Sequence, residues 1–220
     1  MNGPYRLIVF DLDGTLVDSR RDIAEAANTL LEECGAAPLA EERIGRMVGD
    51  GAASLVARAF AATGIAAPAD ALERFVAIYG RRLLRHTRPY AGIPDVLTHL
   101  SRRAALGLLT NKPLAATREI LDALDLGRYF GASVIGGDGP FPRKPDPSGL
   151  RHLVAVSGVP VEATVMVGDS VIDWRTARSA STAMCLARYG FGFEGFPEAD
   201  LADLGPADRL VDAPEDLLSL

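Results

Sequence analysis

Leu7-Ile8-Val9-Phe10 is an unbroken apolar run, too short for an ordinary helix, that stops at Asp11-Leu12-Asp13-Gly14-Thr15. Such a run reads as a strand buried on both faces of a parallel sheet. Gly14 and Thr15 turn the chain where the strand ends, with two carboxylates just before the turn. Side chains at i and i+2 of a strand share a face, so Asp11 and Asp13 are expected to look into one crevice at the carboxyl edge of the sheet. That edge is where open α/β sheets bind ligands. Carboxylates about 4 Å apart repel by roughly 4 kcal/mol at an effective dielectric near 20. The pair therefore calls for a cation, a proton or both.

After Val17 the period changes. Asp18 or Ser19 can cap a helix carrying Ile23, Ala26, Ala27, Leu30, Leu31 and Cys34 on one face, closed by Gly35 and Pro38. A short helix is expected from Glu41 to Val48, a longer one from Ala52 to Thr63, and a third long one opened by Pro68 with Leu72, Phe75, Val76, Tyr79 and Leu83 on one stripe. No strand is expected between Asp18 and His86, so residues 18–88 read as a four-helix module inserted after the first strand. From Tyr90 strand and helix patterns alternate, as in a parallel sheet covered on both faces. The expected strands are Ala105–Leu109, Ser133–Ile135, Thr164–Val167, Ala183–Ala187 and Arg209–Val211. Four strand ends on one edge then present Asp11 with Asp13, Thr110-Asn111-Lys112-Pro113, the loop through Arg143-Lys144-Pro145, and Asp169 with Asp173.

A chain of 220 residues, 48% apolar, can bury a large core. Its net charge of −6 argues against a nucleic-acid or membrane-surface role, which would need a basic patch. No apolar stretch reaches the length of a transmembrane helix, and no secretory leader pattern is present at the start. Cys34 and Cys185 lack metal-ligand spacing and read as free core thiols. A cytoplasmic monomer or homodimer is the expectation.

With these residues in place the chain resembles the haloacid dehalogenase superfamily, the aspartate-nucleophile phosphatases. Asp11-Leu12-Asp13-Gly14-Thr15 is similar to its first motif, Thr110 to the hydroxyl residue of the second, Lys144 to the basic residue of the third, and Asp169 with Asp173 to the acidic pair of the fourth. The resemblance implies an α/β fold with a Rossmann-like parallel core, residues 1–17 and 89–220, and an all-helical cap, residues 18–88. The residues suit phosphoryl transfer, which needs a nucleophile in line with the leaving oxygen and positive charge on the equatorial oxygens. Asp11 can be the covalent nucleophile and Asp13 the acid and base. Mg²⁺ is the expected cofactor, held by Asp11 and Asp169, with the Asp13 carbonyl as a ligand by resemblance and Asp173 holding a metal-bound water. Lys144 would offset charge at the phosphate. Thr110, with Asn111 beside it, would bind phosphate, although Asn111 and Lys112 can equally orient the turn.

Within the superfamily, Thr110-Asn111-Lys112-Pro113 and Gly136-Gly137-Asp138 resemble the phosphoglycolate phosphatase branch. Ser181, where that branch usually has glycine, and Phe191-Gly192-Phe193, in place of a more polar aromatic pair, are departures from it. The expected partner is a small phosphorylated metabolite, reached by the loop Gly49-Asp50-Gly51, with Arg20, Arg21 and Arg46 as candidate cations for a substrate carboxylate. A β-phosphoglucomutase-like sugar-phosphate mutase is the alternative enzyme, although Arg20, Arg21 and Asp22 stand where that branch usually places histidine. A phosphate-sensing or scaffold protein is the non-enzyme alternative, and the complete catalytic set argues against it.

Overall fold

The computed structural model describes residues 4–220. In chain order it runs β1 (Leu7–Phe10), β2 (Val17–Asp18), α1 (Arg20–Glu33), α2 (Glu41–Gly45), α3 (Ala52–Thr63), α4 (Ala71–Gly80) and β3 (Arg88–Pro89). It continues with α5 (Ile93–Leu100), β4 (Ala105–Leu109), α6 (Leu114–Ala123), β5 (Val134–Ile135) and α7 (Ser148–Ser157). The last elements are β6 (Thr164–Gly168), α8 (Val171–Ala180), β7 (Ala183–Ala187), α9 (Glu198–Leu201) and β8 (Arg209–Val211).

Six strands form one parallel sheet in the order β5-β4-β1-β6-β7-β8. All four residues of β1 are buried. The period of two explains why: Ile8 and Phe10 enter the core shared with the helical module, while Leu7 and Val9 enter a second core with Leu153, Met166 and Met184. A strand feeding two cores can have no polar position, as its sequence foretold.

Helices α1 to α4 form the inserted module, with α1 packed on α2 and α4, and α3 on α4. Its two connections are tied together by β2 and β3, an antiparallel pair of two residues each that the sequence did not announce. Asp22, fully buried in α1, clamps the return connection: its Oδ2 accepts from the N–H groups of His86 and Thr87 and from the Thr87 hydroxyl, each at 2.8 Å.

The structure departs from the sequence pattern in several places. Helix α2 stops at Gly45 rather than Val48, and α4 starts at Ala71 rather than at Pro68. The buried stripe of α4 is Ala71, Phe75, Ile78 and Tyr79, whereas Leu72 and Val76 are 42% and 48% exposed. Both belong to the same apolar sequence pattern, but the helix is rotated so that Phe75 and Tyr79 meet the core. His86 lies in the connection before β3. Cys185 is buried, and Cys34 is half-buried at the end of α1.

Candidate active site

The strand ends converge as expected. The Asp11 N–H donates to the Val167 carbonyl at 2.9 Å, which carries the β1–β6 pairing past Phe10 and sets the carboxylate over the sheet edge. Lys144 Nζ lies between Asp11 Oδ1 at 2.8 Å and Asp173 Oδ1 at 2.6 Å. Asp173 sits in the first turn of α8, where its Oδ2 accepts from the Ser170 hydroxyl at 2.6 Å and the Ser170 N–H at 3.1 Å while Ser170 caps the helix. Asp169 Oδ2 accepts from the Gly192 N–H at 2.7 Å. Its Oδ1 lies 3.4 Å from the Thr15 hydroxyl, which points at it as donor.

The carboxylates of Asp11, Asp169 and Asp173 lie within 4.8 Å of one another, and all three residues are buried. Lys144 is the ammonium among them, so three carboxyl groups share one positive charge. Burial, with this shortage of positive charge behind it, makes two of them, Asp11 and Asp169, weaker acids. Burial pushes the Asp11 carboxyl up to about 6 against the opposing Lys144 ammonium, and the neighbouring Asp173 and Asp13 add to the rise. Asp169 is raised well above the usual carboxylate range, first by burial and then by Asp173 and Asp11. Burial works against charge on Lys144 too, but Asp11 and Asp173 outweigh it and hold the ammonium above the usual lysine range. Lys144 approaches Asp11 Oδ1 as an ion pair without hydrogen-bond alignment, leaving that buried oxygen with no hydrogen bond. An acidic, oxygen-only, cation-deficient cluster with an unsatisfied oxygen fits a hard divalent ion. Both Asp173 oxygens are already engaged by Lys144 and Ser170, which suits it to an indirect role.

Gly14 makes room for this cluster. Its φ is +85°, and a Cβ there would land inside the Asp169 carboxylate. Gly14→Ala is therefore expected to destabilise the protein by about 2–4 kcal/mol, from strain at positive φ plus overpacking. Urea unfolding checks this; a loss under about 0.5 kcal/mol, the scale of an ordinary surface change, would contradict it.

Asp13 faces a different set of partners. Its carboxylate accepts from Lys112 Nζ at 2.9 and 3.1 Å and from the Ser19 hydroxyl at 2.5 Å. Lys112 also donates to the Tyr79 hydroxyl of α4 at 2.8 Å, so the core carboxylate and the helical module share one lysine. Opposing carboxylate and phenol hold Lys112 charged despite its burial, and burial pushes the Tyr79 phenol up to about 12. From the sequence Ser19 is a candidate cap, Tyr79 part of an apolar stripe and Lys112 a residue that can orient the turn. The available signal was position: Lys112 follows a strand end on the same edge as Asp13.

The other candidates divide. Thr110 is buried on the cavity wall, its oxygen accepting from the Lys112 N–H at 3.2 Å. Asn111 also lines the cavity, but its amide is spent on protein: Oδ1 accepts from the Lys144 N–H at 2.8 Å, while Nδ2 donates to the Lys144 carbonyl at 2.9 Å and the Gly49 carbonyl at 2.8 Å. It fixes the Lys144 loop and joins it to the module. Gly49 and Gly51 line the cavity, whereas the Asp50 carboxylate is paired with Arg58. Arg20 pairs with Asp18, Glu41 and Glu194, Arg21 with Glu25, and Arg46 with Glu194; none of the three lines the cavity. Ser181 adopts φ 62°, the left-handed cap of α8 that glycine more commonly fills. Phe191 is buried on the cavity wall, and Phe193 stacks on Phe196.

The cavity between module and sheet edge is about 210 Å³. Asp11, Asp13, Thr110 and Asp169 form its polar floor, and Leu55, Phe75, Val76 and Leu83 its apolar roof. This arrangement can hold a phosphate over Asp11 with the leaving group under the roof.

The family model for haloacid dehalogenase-like hydrolases matches residues 5–181. The chain belongs to that family. It is 41% identical over 212 residues to the phosphoglycolate phosphatase of Rhodospirillum rubrum, covering 92% of this chain and 87% of that protein. It is 39% identical over 191 residues to the phosphoglycolate phosphatase of Caulobacter vibrioides, covering 84% and 79%. The crystal structure of a predicted phosphoglycolate phosphatase from Haemophilus somnus matches with a TM-score of 0.88 at 28% identity, over 98% of this chain and 97% of that one. This haloacid dehalogenase-like hydrolase is accordingly an enzyme of the phosphatase type. No helix among its described residues is long and apolar enough to cross a membrane.

Proposed function

We propose that this hydrolase cleaves a small phosphate monoester, with phosphoglycolate as the first substrate to test, through a phosphoaspartate on Asp11. The observation that carries the reading is the division of labour between two neighbouring aspartates. Asp11 is held by Lys144 over the acidic cluster, and Asp13 is held apart from it by Lys112 and Ser19. In the first step an Asp11 oxygen bonds to phosphorus, the ester bond breaks, and the departing alkoxide takes a proton from Asp13. In the second, Asp13 takes a proton from the water that attacks phosphorus, releasing phosphate and restoring Asp11. Thr110 and Lys144 bear on the phosphate oxygens. The names of the relatives support the choice of substrate.

Asp11, Asp169 and the Asp13 main-chain carbonyl would hold Mg²⁺, with Asp173 reached through water, and the ion would offset the charge of phosphate beside Asp11. Residues 18–88 would act as a cap that rotates about the β2–β3 pair, closes the cavity and excludes bulk water, with the 49–51 loop nearest the substrate.

Two results are expected with metal. Activity should need Mg²⁺, vanish in excess EDTA and fall with Ca²⁺, which takes more ligands at longer distances. Mg²⁺ at about 100 times its dissociation constant should stabilise the fold by about 2.7 kcal/mol, raising Tm by about 5–10 °C. Asp169→Asn should remove most of that increment. Full activity after verified metal removal, or an unchanged increment in the variant, would count against this assignment.

A further inference from the structure

A carboxylate-bearing leaving group such as glycolate needs a cation under the roof, and the arginines near the first motif are committed to acidic partners outside the cavity. Among the described residues that line the cavity, Lys112 is the one cationic side chain. Building on the phosphoglycolate reading above, we infer that Lys112 and Tyr79 form the subsite for the carboxylate of the leaving group. Lys112 comes from the turn after β4 and Tyr79 from α4, so the subsite spans core and module.

Three observations define it. Lys112 Nζ is fixed by Asp13 on one side and by the Tyr79 hydroxyl on the other, so its charge stays at the cavity wall beside the position of the leaving oxygen. The Tyr79 oxygen accepts from Lys112, which leaves the phenol proton available to donate, and that proton makes no hydrogen bond to a described residue. Phe75 stacks on the Tyr79 ring at 5.8 Å and 11°, and Lys112 Nζ sits 4.6 Å from the centre of that ring, so the rotamer of the phenol is held. The Lys112 charge and the Tyr79 hydroxyl, 2.8 Å apart, suit the two oxygens of a carboxylate: the ammonium, whose N–H groups already reach Asp13 and Tyr79, acts through its charge and the phenol through its proton. The surrounding roof of Leu55, Phe75 and Leu83 offers a neutral polar leaving group no partner and raises the strength of this one charged contact. Lys112 is thus a specificity-determining residue, and the subsite stands assembled with the module seated as it is here, because Tyr79 belongs to α4.

The test compares kcat/KM for phosphoglycolate with that for ethyl phosphate, which has the same two-carbon length and no carboxylate, in saturating Mg²⁺. The wild-type enzyme is expected to prefer phosphoglycolate. Lys112→Met should lower that preference by about 10²-fold or more, chiefly through KM for phosphoglycolate, and Lys112→Arg should restore part of it. Tyr79→Phe, which leaves the Lys112–Asp13 pair in place, should lower the preference by about tenfold and keeps the question open to measurement if Lys112→Met folds poorly. If Lys112→Met and Tyr79→Phe each slow both esters in equal proportion, or leave the preference intact, the subsite assignment is overturned while the phosphoglycolate reading stands. If the wild-type enzyme hydrolyses ethyl phosphate as well as phosphoglycolate, the substrate reading falls and takes this assignment with it.

Discussion

Asp11→Asn is expected to lose turnover by roughly 10⁴-fold or more while remaining folded, as does removal of a nucleophile elsewhere. An amide cannot form the phosphoaspartate and is a poor ligand for Mg²⁺, so two functions go together. Folding should survive because the substitution removes one charge from a buried cluster that carries too many of the same sign. Asp13→Asn separates the roles: it keeps the main-chain carbonyl and the carboxylate cluster and loses acid–base help, about 10²- to 10⁴-fold. Steady-state rates and Mg²⁺-dependent Tm measured on both variants check this. Near-wild-type rates in Asp11→Asn would remove it as nucleophile, and an Asp13→Asn protein that no longer responds to Mg²⁺ would place its side chain in the metal site.

Lys144→Met should have the largest effect on stability. The lysine is buried and ion-paired to both Asp11 and Asp173, and its removal leaves three carboxylates with no ammonium among them. Breaking a buried pair by taking one partner costs about 3–5 kcal/mol, because the remaining charge stays desolvated. For a chain of this length that is a fall in Tm of about 6–20 °C in metal-free buffer. Mg²⁺ should return part of the loss by neutralising the same cluster. Thermal unfolding with EDTA and with Mg²⁺ distinguishes the cases; an unchanged metal-free Tm would mean that the carboxylates do not depend on Lys144 for charge balance.

The sheet and its chemical edge were legible in the sequence because strong local rules agreed there. A four-residue apolar strand, acidic residues after two strands, and turn residues at each strand end left little freedom in where the polar groups could go. Asp11, Lys144, Asp169 and Asp173 meet as the motif spacing implied. What was not legible depends on rotation and closure. Leu72 and Val76 share an apolar pattern with Phe75 and Tyr79, and only the packing of α1 against α4 decides which side faces inward. Arg20 and Arg46 are near the first motif or the loop in sequence, but Glu41 and Glu194, remote in the chain, claim them. Tyr79 reads as one more aromatic on an amphipathic helix until the fold sets its hydroxyl against Lys112, 33 residues away. Asp22 likewise reads as a helix-start acid, and only the return of the chain at His86 and Thr87 reveals it as the anchor of a connection.

The central claim is that phosphate passes through Asp11 before it reaches water, and stereochemistry at phosphorus tests this most directly. A phosphorothioate ester made chiral with one heavy oxygen isotope, hydrolysed in water enriched in another, yields a product whose configuration records the number of in-line displacements. Two displacements, one by Asp11 and one by water, predict retention of configuration; inversion would show a single attack by water and contradict the account.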